Sequence, residues 1–318
     1  MNARPFGKLG SVSALTLGGG GLGQLWGPTT REECLATARE APELGITLLD
    51  LAPSYGNGEA ESVIGEAFGG KLPDGVRITT KCRVGDTPAA DVPALLEESL
   101  ATSLERMKLK HVDVMFLHNW VTADGAPTYD RGTPRSTVES AVIPKLQRFV
   151  SEGRISGWGL TGIGDPAVLI AMLEAGVTPD YIQIMANLLD SPGGLKYPDG
   201  LARPRDIIAA AQQAGTPIMG IRAVQAGALT SALDRSKPAD NPETLDFARA
   251  APFRAIAAEV GQSPAFLAHQ YALSMDGPAT VVLGVKNREE LRECVAAEAA
   301  GPMDPTLIQR IDAAIGRN

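Results

Sequence analysis

The feature that most constrains the fold is a regular alternation of short apolar segments with longer segments of helical period along the chain. Such alternation is typical of repeated strand–helix–strand units, in which parallel strands are buried on both faces. It predicts eight strands, Ala14–Gly18, Ile46–Asp50, Arg77–Lys81, Val112–Leu117, Ile155–Leu160, Tyr181–Ile184, Pro217–Ile221 and Thr280–Gly284.

Amphipathic helices are predicted between these strands and after the last one. They are Arg31–Leu44, Glu59–Phe68, Val92–Glu105, Thr137–Glu152, Pro166–Glu174, Arg203–Ala214, Pro264–Met275, Arg288–Ala299 and Asp304–Ile315.

This element order fits an α/β protein with a closed (β/α)8 barrel, which needs about 250 residues plus insertions. We expect residues 1–318 to form one barrel domain with the active site at the carboxyl-terminal rim of the strands. The rival architecture is an open, doubly wound sheet, which normally places a second domain after about 150 residues. No Pro/Gly-rich linker interrupts the alternation near that point, and this favours the barrel.

Three irregular stretches are longer than a typical connection between elements. We expect them to form loops over the active site, because each follows a strand or a segment with site-like residues. They are Val121–Ser136, Asp190–Leu201 and Ser231–Ala250.

A run of glycines follows the first predicted strand, and Gly18, Gly20 and Gly23 have the spacing of a dinucleotide-binding fingerprint. That fingerprint also requires a helix that begins at the last glycine, whereas residues 24–28 predict a loop. We therefore disfavour a Rossmann fold. The glycines are expected instead to let the backbone approach a flat ligand closely.

The charge balance favours a small-molecule partner. The chain has 29 basic and 37 acidic residues, a net charge of -8, and no block of like charge that suits nucleic acid or a membrane surface. It has neither an apolar run of about 20 residues nor a signal-like amino terminus, so we expect a soluble, cytoplasmic protein. Cys34, Cys82 and Cys294 are expected to be reduced thiols, and no pattern indicates a metal site or an oligomeric state.

Polar residues end three successive predicted strands. Asp50, Lys81 and His118 stand at these ends, and Tyr55 follows Asp50 by five residues. Taken singly, each residue has an ordinary structural explanation, such as a turn cap, a surface charge or a packed ring. Polar residues at the carboxyl ends of barrel strands are typical of a catalytic site, and their joint occurrence favours that interpretation.

These four residues occur in the order and sequence contexts of the aldo-keto reductase tetrad, and the chain resembles that family over essentially its whole length. Glu61 and Gly65 keep the register of the family segment, and residues 284–291 resemble its adenine-end motif. The resemblance implies an oxidoreductase that interconverts an aldehyde or ketone with an alcohol and uses NADP(H), or alternatively NAD(H).

The chemistry of carbonyl reduction explains these residue types. An acid must deliver a proton to the carbonyl oxygen, and Tyr55 is the expected acid. An ammonium at Lys81 stabilises phenolate and developing negative charge, while Asp50 offsets the cost of holding that ammonium away from water. His118 is expected to hydrogen-bond the carbonyl oxygen and orient the substrate.

The resemblance also implies a cofactor site. Two departures are expected: Gly162 replaces an Asn that holds the carboxamide, and Ala186 stands where the family has an aromatic residue stacked on the nicotinamide. Lys286 is expected to meet the 2′-phosphate of NADP(H), with Glu290 as a competing influence. The predicted cofactor-binding residues are Gly20, Thr161, Gln183, Arg222, Val224, Gln225, Gly227, Leu229, Gly284, Lys286 and Glu290.

The substrate pocket is expected to have partly apolar walls from Trp26, Tyr55, His118 and Trp120, which suits aromatic, aliphatic or sugar aldehydes. The alternative is that Trp26 and Trp120 are packing residues. The departures at Gly162 and Ala186 leave a second function open, a nicotinamide-binding sensor or auxiliary subunit with little turnover. A metal-dependent barrel hydrolase is disfavoured, because no cluster of His and carboxylates has ligand spacing.

Overall fold

The computed structural model describes residues 1–129, 131–197, 200–235 and 237–317. Asp130, Pro198, Asp199 and Ser236, which fall in the three predicted loops, and Asn318 lie outside the described residues. Eight parallel strands close a barrel in chain order, with the last strand paired to the first through Val281 and Leu15, so the predicted (β/α)8 fold is confirmed. The strands are β1 (Leu15–Gly18), β2 (Leu48–Asp50), β3 (Arg77–Cys82), β4 (Val112–Leu117), β5 (Ile155–Thr161), β6 (Tyr181–Met185), β7 (Ile218–Ile221) and β8 (Pro278–Leu283).

Helices surround the strands. Several begin where the sequence offers a cap: Thr30 accepts a hydrogen bond from the amide of Glu33, and Asn287 accepts one from Glu290. The helices are α1 (Arg31–Glu43), α2 (Glu59–Phe68), α3 (Val92–Met107), α4 (Ile143–Ser151), α5 (Pro166–Glu174), α6 (Pro204–Gln213), α7 (Pro242–Arg249), α8 (Ala251–Glu259), α9 (Pro264–Ser274), α10 (Arg288–Ala299) and α11 (Pro305–Ala314).

The amino-terminal end of the barrel is closed by a short antiparallel hairpin, Ala3–Pro5 with Ser11–Ser13, which the sequence analysis did not predict. The hairpin brings Phe6 into a buried cluster with side chains of the barrel strands, among them Phe116 and Tyr181. The hydroxyl of Tyr181 accepts a hydrogen bond of 3.0 Å from the amide of Leu9. Because this end is filled, a ligand site is left at the carboxyl ends of the strands.

Two helical segments differ from the prediction. The helix predicted at Thr137–Glu152 is interrupted, since a π-helical turn at Val138–Val142 precedes α4. Pro144 lacks an N–H and its ring crowds the carbonyl of Ser140, which explains the widened turn. The predicted loop Ser231–Ala250 contains α7, whose cap Asn241 accepts a hydrogen bond of 3.0 Å from Glu243.

The glycine run also differs from the prediction, because Gly19–Leu22 forms one helical turn directly after β1. A Cβ atom at Gly21 would lie 1.7 Å from the carbonyl oxygen of Val285, so only glycine allows this turn to pack on the segment after β8. The predicted loop Val121–Ser136 contains a short pairing of Trp120–Thr122 with Gly132–Pro134. No helix in the described part of the chain has the length and apolar character needed to cross a membrane.

Candidate active site

A buried ion pair lies at the carboxyl ends of β2 and β3. The ammonium of Lys81 donates to Asp50 Oδ2 at 2.7 Å and to the carbonyl oxygen of Leu51 at 2.8 Å. Lys81 is 0% exposed and Asp50 is 1% exposed. Burial lowers the pKa of Lys81, but the carboxylate of Asp50 and the neighbouring Tyr55 raise it more, so its pKa lies above the usual value. The site therefore holds an ammonium out of contact with water.

The second carboxylate oxygen of Asp50 is also fully engaged. Asp50 Oδ1 accepts from the hydroxyl of Thr79 at 2.6 Å and from the side-chain amide of Gln183 at 2.7 Å. Thr79 lies on β3, and Gln183 lies on β6 at the far side of the barrel. Contacts from three side chains fix the carboxylate, and through it the ammonium of Lys81.

Tyr55 and His118 complete the cluster that the sequence predicts. The Lys81 ammonium lies 4.8 Å from the centroid of the Tyr55 ring. The rings of Tyr55 and His118 are edge-on, with centroids 5.8 Å apart. Ser54 Oγ lies 3.4 Å from His118 Nδ1. The structure thus brings all four predicted catalytic residues, Asp50, Tyr55, Lys81 and His118, to one place.

The protonation states of the two rings follow from their surroundings. Burial raises the pKa of Tyr55 above its ordinary value, outweighing the positive charge of Lys81, so the phenol keeps its proton at neutral pH. Burial, together with the charges of Lys81 and Arg83, holds the pKa of His118 well below its usual value. The cluster at neutral pH therefore presents a protonated phenol beside an uncharged imidazole.

A cleft of about 490 Å³ opens beside this cluster, lined by residues that include Ser54, Lys81, Arg83, Ser99 and His118. Arg83 is exposed and was not predicted as a site residue. The available signal for Arg83 in the sequence was its position two residues after Lys81, because the chain at that point still lies at the rim.

Thr161 and Gln183 are neighbours on β5 and β6, paired in register. The Thr161 hydroxyl donates to the carbonyl oxygen of Leu117 at 2.7 Å. The Gln183 amide nitrogen must face the Asp50 carboxylate, which only accepts, so the side-chain oxygen of Gln183 is its remaining acceptor. The hydroxyl oxygen of Thr161 and the side-chain oxygen of Gln183 are therefore hydrogen-bond acceptors on two neighbouring residues.

The structure gives physical reasons for both departures from the family pattern. A Cβ atom at Gly162 would lie 2.8 Å from the carbonyl oxygen of Gln183, so the backbone of β6 excludes an Asn there. Ala186 is fully buried, and a Cβ atom at Gly220 would lie 2.8 Å from the Cβ of Ala186. Buried in this way, Ala186 has no exposed surface on which a nicotinamide could stack, and its match to the family's stacking position stays a prediction. The partly exposed apolar side chain at this rim is Ile221, which pairs in register with Met185.

Trp26 lies against the predicted cofactor glycines. A Cβ atom at Gly20 would lie 2.3 Å from the indole nitrogen of Trp26, and one at Gly284 would lie 3.4 Å from it. The guanidinium of Arg235 lies 5.0 Å from the centroid of the Trp26 ring. Trp26 thus covers the ends of β1 and β8, and its contact with a substrate stays a prediction.

Trp120 is 5% exposed and packs between two loops. Its indole nitrogen donates to the carbonyl oxygen of Leu195 at 3.0 Å. The rings of Tyr129 and Tyr197 meet it edge-on, with centroids 6.4 Å and 5.7 Å away. The structure therefore places Trp120 in the packing between the predicted loops Val121–Ser136 and Asp190–Leu201, rather than on an open wall.

The loop after β7 uses most of its predicted ligand-binding groups internally. Arg222 Nε donates to Gln225 Oε1 at 2.8 Å, and its guanidinium pairs with Glu243 at 3.4 Å. Burial lowers the pKa of Arg222 despite this partner. The amides of Gln225, Gly227 and Leu229 donate to carbonyls of Arg222 and Val224 at 2.8, 3.0 and 3.2 Å. These groups hold the loop together, so a pyrophosphate contact would have to compete with existing bonds.

Lys286 lies between two carboxylates after β8. Its ammonium pairs with Asp234 and, at 2.7 Å, with Glu290. Burial lowers the pKa of Lys286, but the hydrogen bonds that its ammonium donates to Asp234 and Glu290 raise it more, so the group is an ammonium at neutral pH. Two other basic residues on the following helix are also paired, Arg288 with Glu33 and Arg292 with Glu40.

The closed barrel and the polar cluster at its rim define a protein of the (β/α)8 enzyme class. The model of the Aldo/keto reductase family matches residues 14–315, and the chain belongs to this family of oxidoreductases.

Named relatives agree with this assignment. L-galactose dehydrogenase of Arabidopsis thaliana is 26% identical over 320 residues, covering 98% of this chain and 93% of that protein. The NADH-specific methylglyoxal reductase of Escherichia coli is 30% identical over 186 residues, covering 54% of this chain and 53% of that protein. The solved structure of an aldo-keto reductase from Klebsiella pneumoniae in complex with NADPH shares the fold, with a TM-score of 0.70, 22% identity and coverage of 100% and 97% of the two chains.

Proposed function

We propose that this protein is a nicotinamide-dependent oxidoreductase that reduces an aldehyde or ketone to an alcohol, or catalyses the reverse reaction. The observation that carries the proposal is the buried Lys81–Asp50 pair beside Tyr55 and His118. Membership of the aldo/keto reductase family and the names of the relatives support it, since these include a dehydrogenase and a reductase.

In the proposed mechanism Tyr55 is the acid. Its raised pKa keeps the phenol protonated at neutral pH, which is the state that a reduction needs. The ammonium of Lys81 stabilises the negative charge that develops when the phenol proton moves to the carbonyl oxygen. Neutral His118 has a ring N–H available to hydrogen-bond that oxygen, and so positions the carbonyl against Tyr55.

Asp50 is a positioning residue in this mechanism. Its carboxylate touches Lys81, Thr79 and Gln183, and none of these contacts involves Tyr55. By pairing with Lys81 away from water, Asp50 offsets the free-energy cost of burying the ammonium. It also fixes the direction of the ammonium N–H groups.

The residues at the rim of β5 to β7 fit a nicotinamide. The cofactor, when bound, supplies the hydride. Thr161 and Gln183 offer adjacent acceptors, which match the two N–H groups of a carboxamide. Ile221 offers an apolar surface in place of an aromatic ring. Thr161 and Gln183 would hold the carboxamide, and Ile221 would contact the ring.

For the adenosine end we propose NADP(H) as the more tightly bound cofactor, with NAD(H) also accepted. Lys286 offers an ammonium for the 2′-phosphate, but Asp234 and Glu290 already balance its charge. A phosphate would have to displace one carboxylate or bind near both. We therefore expect only a small preference for NADP(H) over NAD(H).

A second candidate function is a nicotinamide-responsive subunit with little turnover. The position of Trp26 favours it, because the indole covers Gly20 and Gly284, two glycines of the proposed cofactor site. If this indole has to move before a dinucleotide binds, binding would change the surface formed by Trp26 and Arg235.

Fluorescence titration with NADPH and NADH, followed by turnover assays on a panel of aldehydes, tests both candidates. We expect binding of both cofactors and turnover that depends on Tyr55. Binding without turnover would favour the subunit, and absence of binding would contradict both functions. The small-molecule substrate class and the cytoplasmic location predicted from the sequence remain proposals.

A further inference from the structure

One basic side chain in the cleft beside the active-site cluster has no partner among the described residues. Lys81 is paired with Asp50, and Arg106 is paired with Glu61 at 3.2 Å. The guanidinium of Arg83 forms no ion pair or hydrogen bond with any residue that the structure describes. A guanidinium has five N–H donors and no acceptor, so an oxygen-rich group would satisfy it.

Arg83 lies close to the groups proposed to react. It lines the same cleft as Lys81 and His118, and its charge contributes to the lowered pKa of His118. Arg83 directly follows β3, the strand that carries Lys81, whereas Glu98, the exposed carboxylate of this cleft, lies on α3.

Resting on the function proposed above, we infer that Arg83 binds a carboxylate of the substrate, so that the preferred substrates are aldehyde or ketone acids. A guanidinium binds a carboxylate through two parallel hydrogen bonds, which fixes orientation as well as charge. A hydroxyl would leave the guanidinium charge uncompensated. A dianionic phosphate would meet more repulsion from Glu98 than a carboxylate meets. The cleft volume of about 490 Å³ is within the range of small-ligand sites.

The test compares 4-oxobutanoate with 4-oxobutanamide, two aldehydes of equal length that differ in charge. We expect the wild type to have the higher kcat/KM for the acid, with the difference mainly in KM. Arg83→Gln should lower kcat/KM for the acid by roughly ten- to a hundredfold, the usual effect of one charge-assisted contact, and leave the amide within about twofold. Arg83→Lys should keep part of the preference.

Two variants serve as controls. Arg148→Gln removes an arginine whose side chain is 70% exposed on α4, away from the cleft lining, and should change kcat/KM for neither substrate. Glu98→Gln removes the competing carboxylate and should raise kcat/KM for 4-oxobutanoate relative to kcat/KM for 4-oxobutanamide. Calorimetric titration with succinate supplies a readout without turnover, and Arg83→Gln should weaken its binding by at least tenfold.

Equal kcat/KM for acid and amide in the wild type, or an unchanged ratio in Arg83→Gln, would overturn the assignment of Arg83. Better turnover of glyceraldehyde 3-phosphate than of 4-oxobutanoate would overturn the choice of a carboxylate. If no aldehyde is reduced at all, the proposed function fails, and succinate binding alone decides the role of Arg83: binding that needs Arg83 supports it, and binding that does not refutes it.

Discussion

The two carboxylates on Lys286 make cofactor preference the most informative property to perturb. We predict that Glu290→Gln tightens the binding of NADPH and leaves the binding of NADH nearly unchanged. The Gln side chain keeps an oxygen that can accept from the amide of Lys286, as Glu290 does at 2.9 Å. The change therefore removes one negative charge with little loss of local structure.

The size of the effect follows from Coulomb's law. Two unit charges 4 Å apart interact by about 1 kcal/mol in water and by about 4 kcal/mol at the effective dielectric constant of a protein surface. The side chain of Glu290 is 34% exposed and that of Lys286 is 14% exposed, so solvent screens much of the interaction. We expect a gain of about 1–2 kcal/mol, or roughly five- to thirtyfold in the dissociation constant of NADPH.

Equilibrium titrations with NADPH and NADH at low and high salt are the assay. The gain for NADPH should shrink as salt rises, because screening weakens the repulsion in the wild type. Lys286→Ala provides the converse control. It should weaken the binding of NADPH by about 1–3 kcal/mol without affecting the binding of NADH. Unchanged NADPH affinity in Glu290→Gln would refute the reasoning. A loss of NADH affinity would show that Glu290 binds the ribose hydroxyl instead.

Further predictions concern the active-site cluster. Tyr55→Phe should abolish most turnover and leave cofactor affinity intact, because only the proton donor is lost; wild-type rates would contradict this role. Lys81→Met should stop turnover and destabilise the fold by about 3–5 kcal/mol in chemical denaturation, because it leaves the buried carboxylate of Asp50 without its cation. The rate of carbonyl reduction should be constant across neutral pH and fall only as pH rises through the raised pKa of Tyr55. The rate of alcohol oxidation, which needs the phenolate, should rise with pH. A reduction rate that falls between pH 6 and 8 would count against Tyr55 as the acid.

The barrel could be predicted because its signals are local. Buried parallel strands have continuous apolar sequences. Helices α5 and α10 have the predicted bounds because Pro166 and the Asn287 cap mark where they begin, and Gly176 and Gly301 follow where they end. The amino-terminal hairpin was missed because its strands have only three residues each, too few to show a period. The π-helical turn before Pro144 depends on a local clash that the hydrophobic pattern does not record.

The sequence predicted the clustering of residues whose chemical type stands out at a strand end. It did not predict roles that depend on the direction in which a side chain points in the folded protein. Asp50, Tyr55, Lys81 and His118 come together because parallel strands end at one rim. The burial of Ala186 against Gly220 depends on the contact between β6 and β7, and single strands do not reveal it. One of the two partners of Lys286, Asp234, lies in a distant loop, which only the folded chain brings close.

Gln183 connects the two halves of the proposed chemistry. Its amide nitrogen binds Asp50, which holds the proposed catalytic ammonium, and its oxygen is left for the proposed carboxamide contact beside Thr161. The side-chain amide of Gln183 cannot flip by 180° without losing both interactions, because a carboxylate only accepts hydrogen bonds and the amide nitrogen only donates them. The Asp50–Lys81 pair therefore determines which atom Gln183 presents to the cofactor. A substitution at Gln183 should consequently change the proton-transfer side and the cofactor side together, and the buried pair acts as one unit with the nicotinamide site.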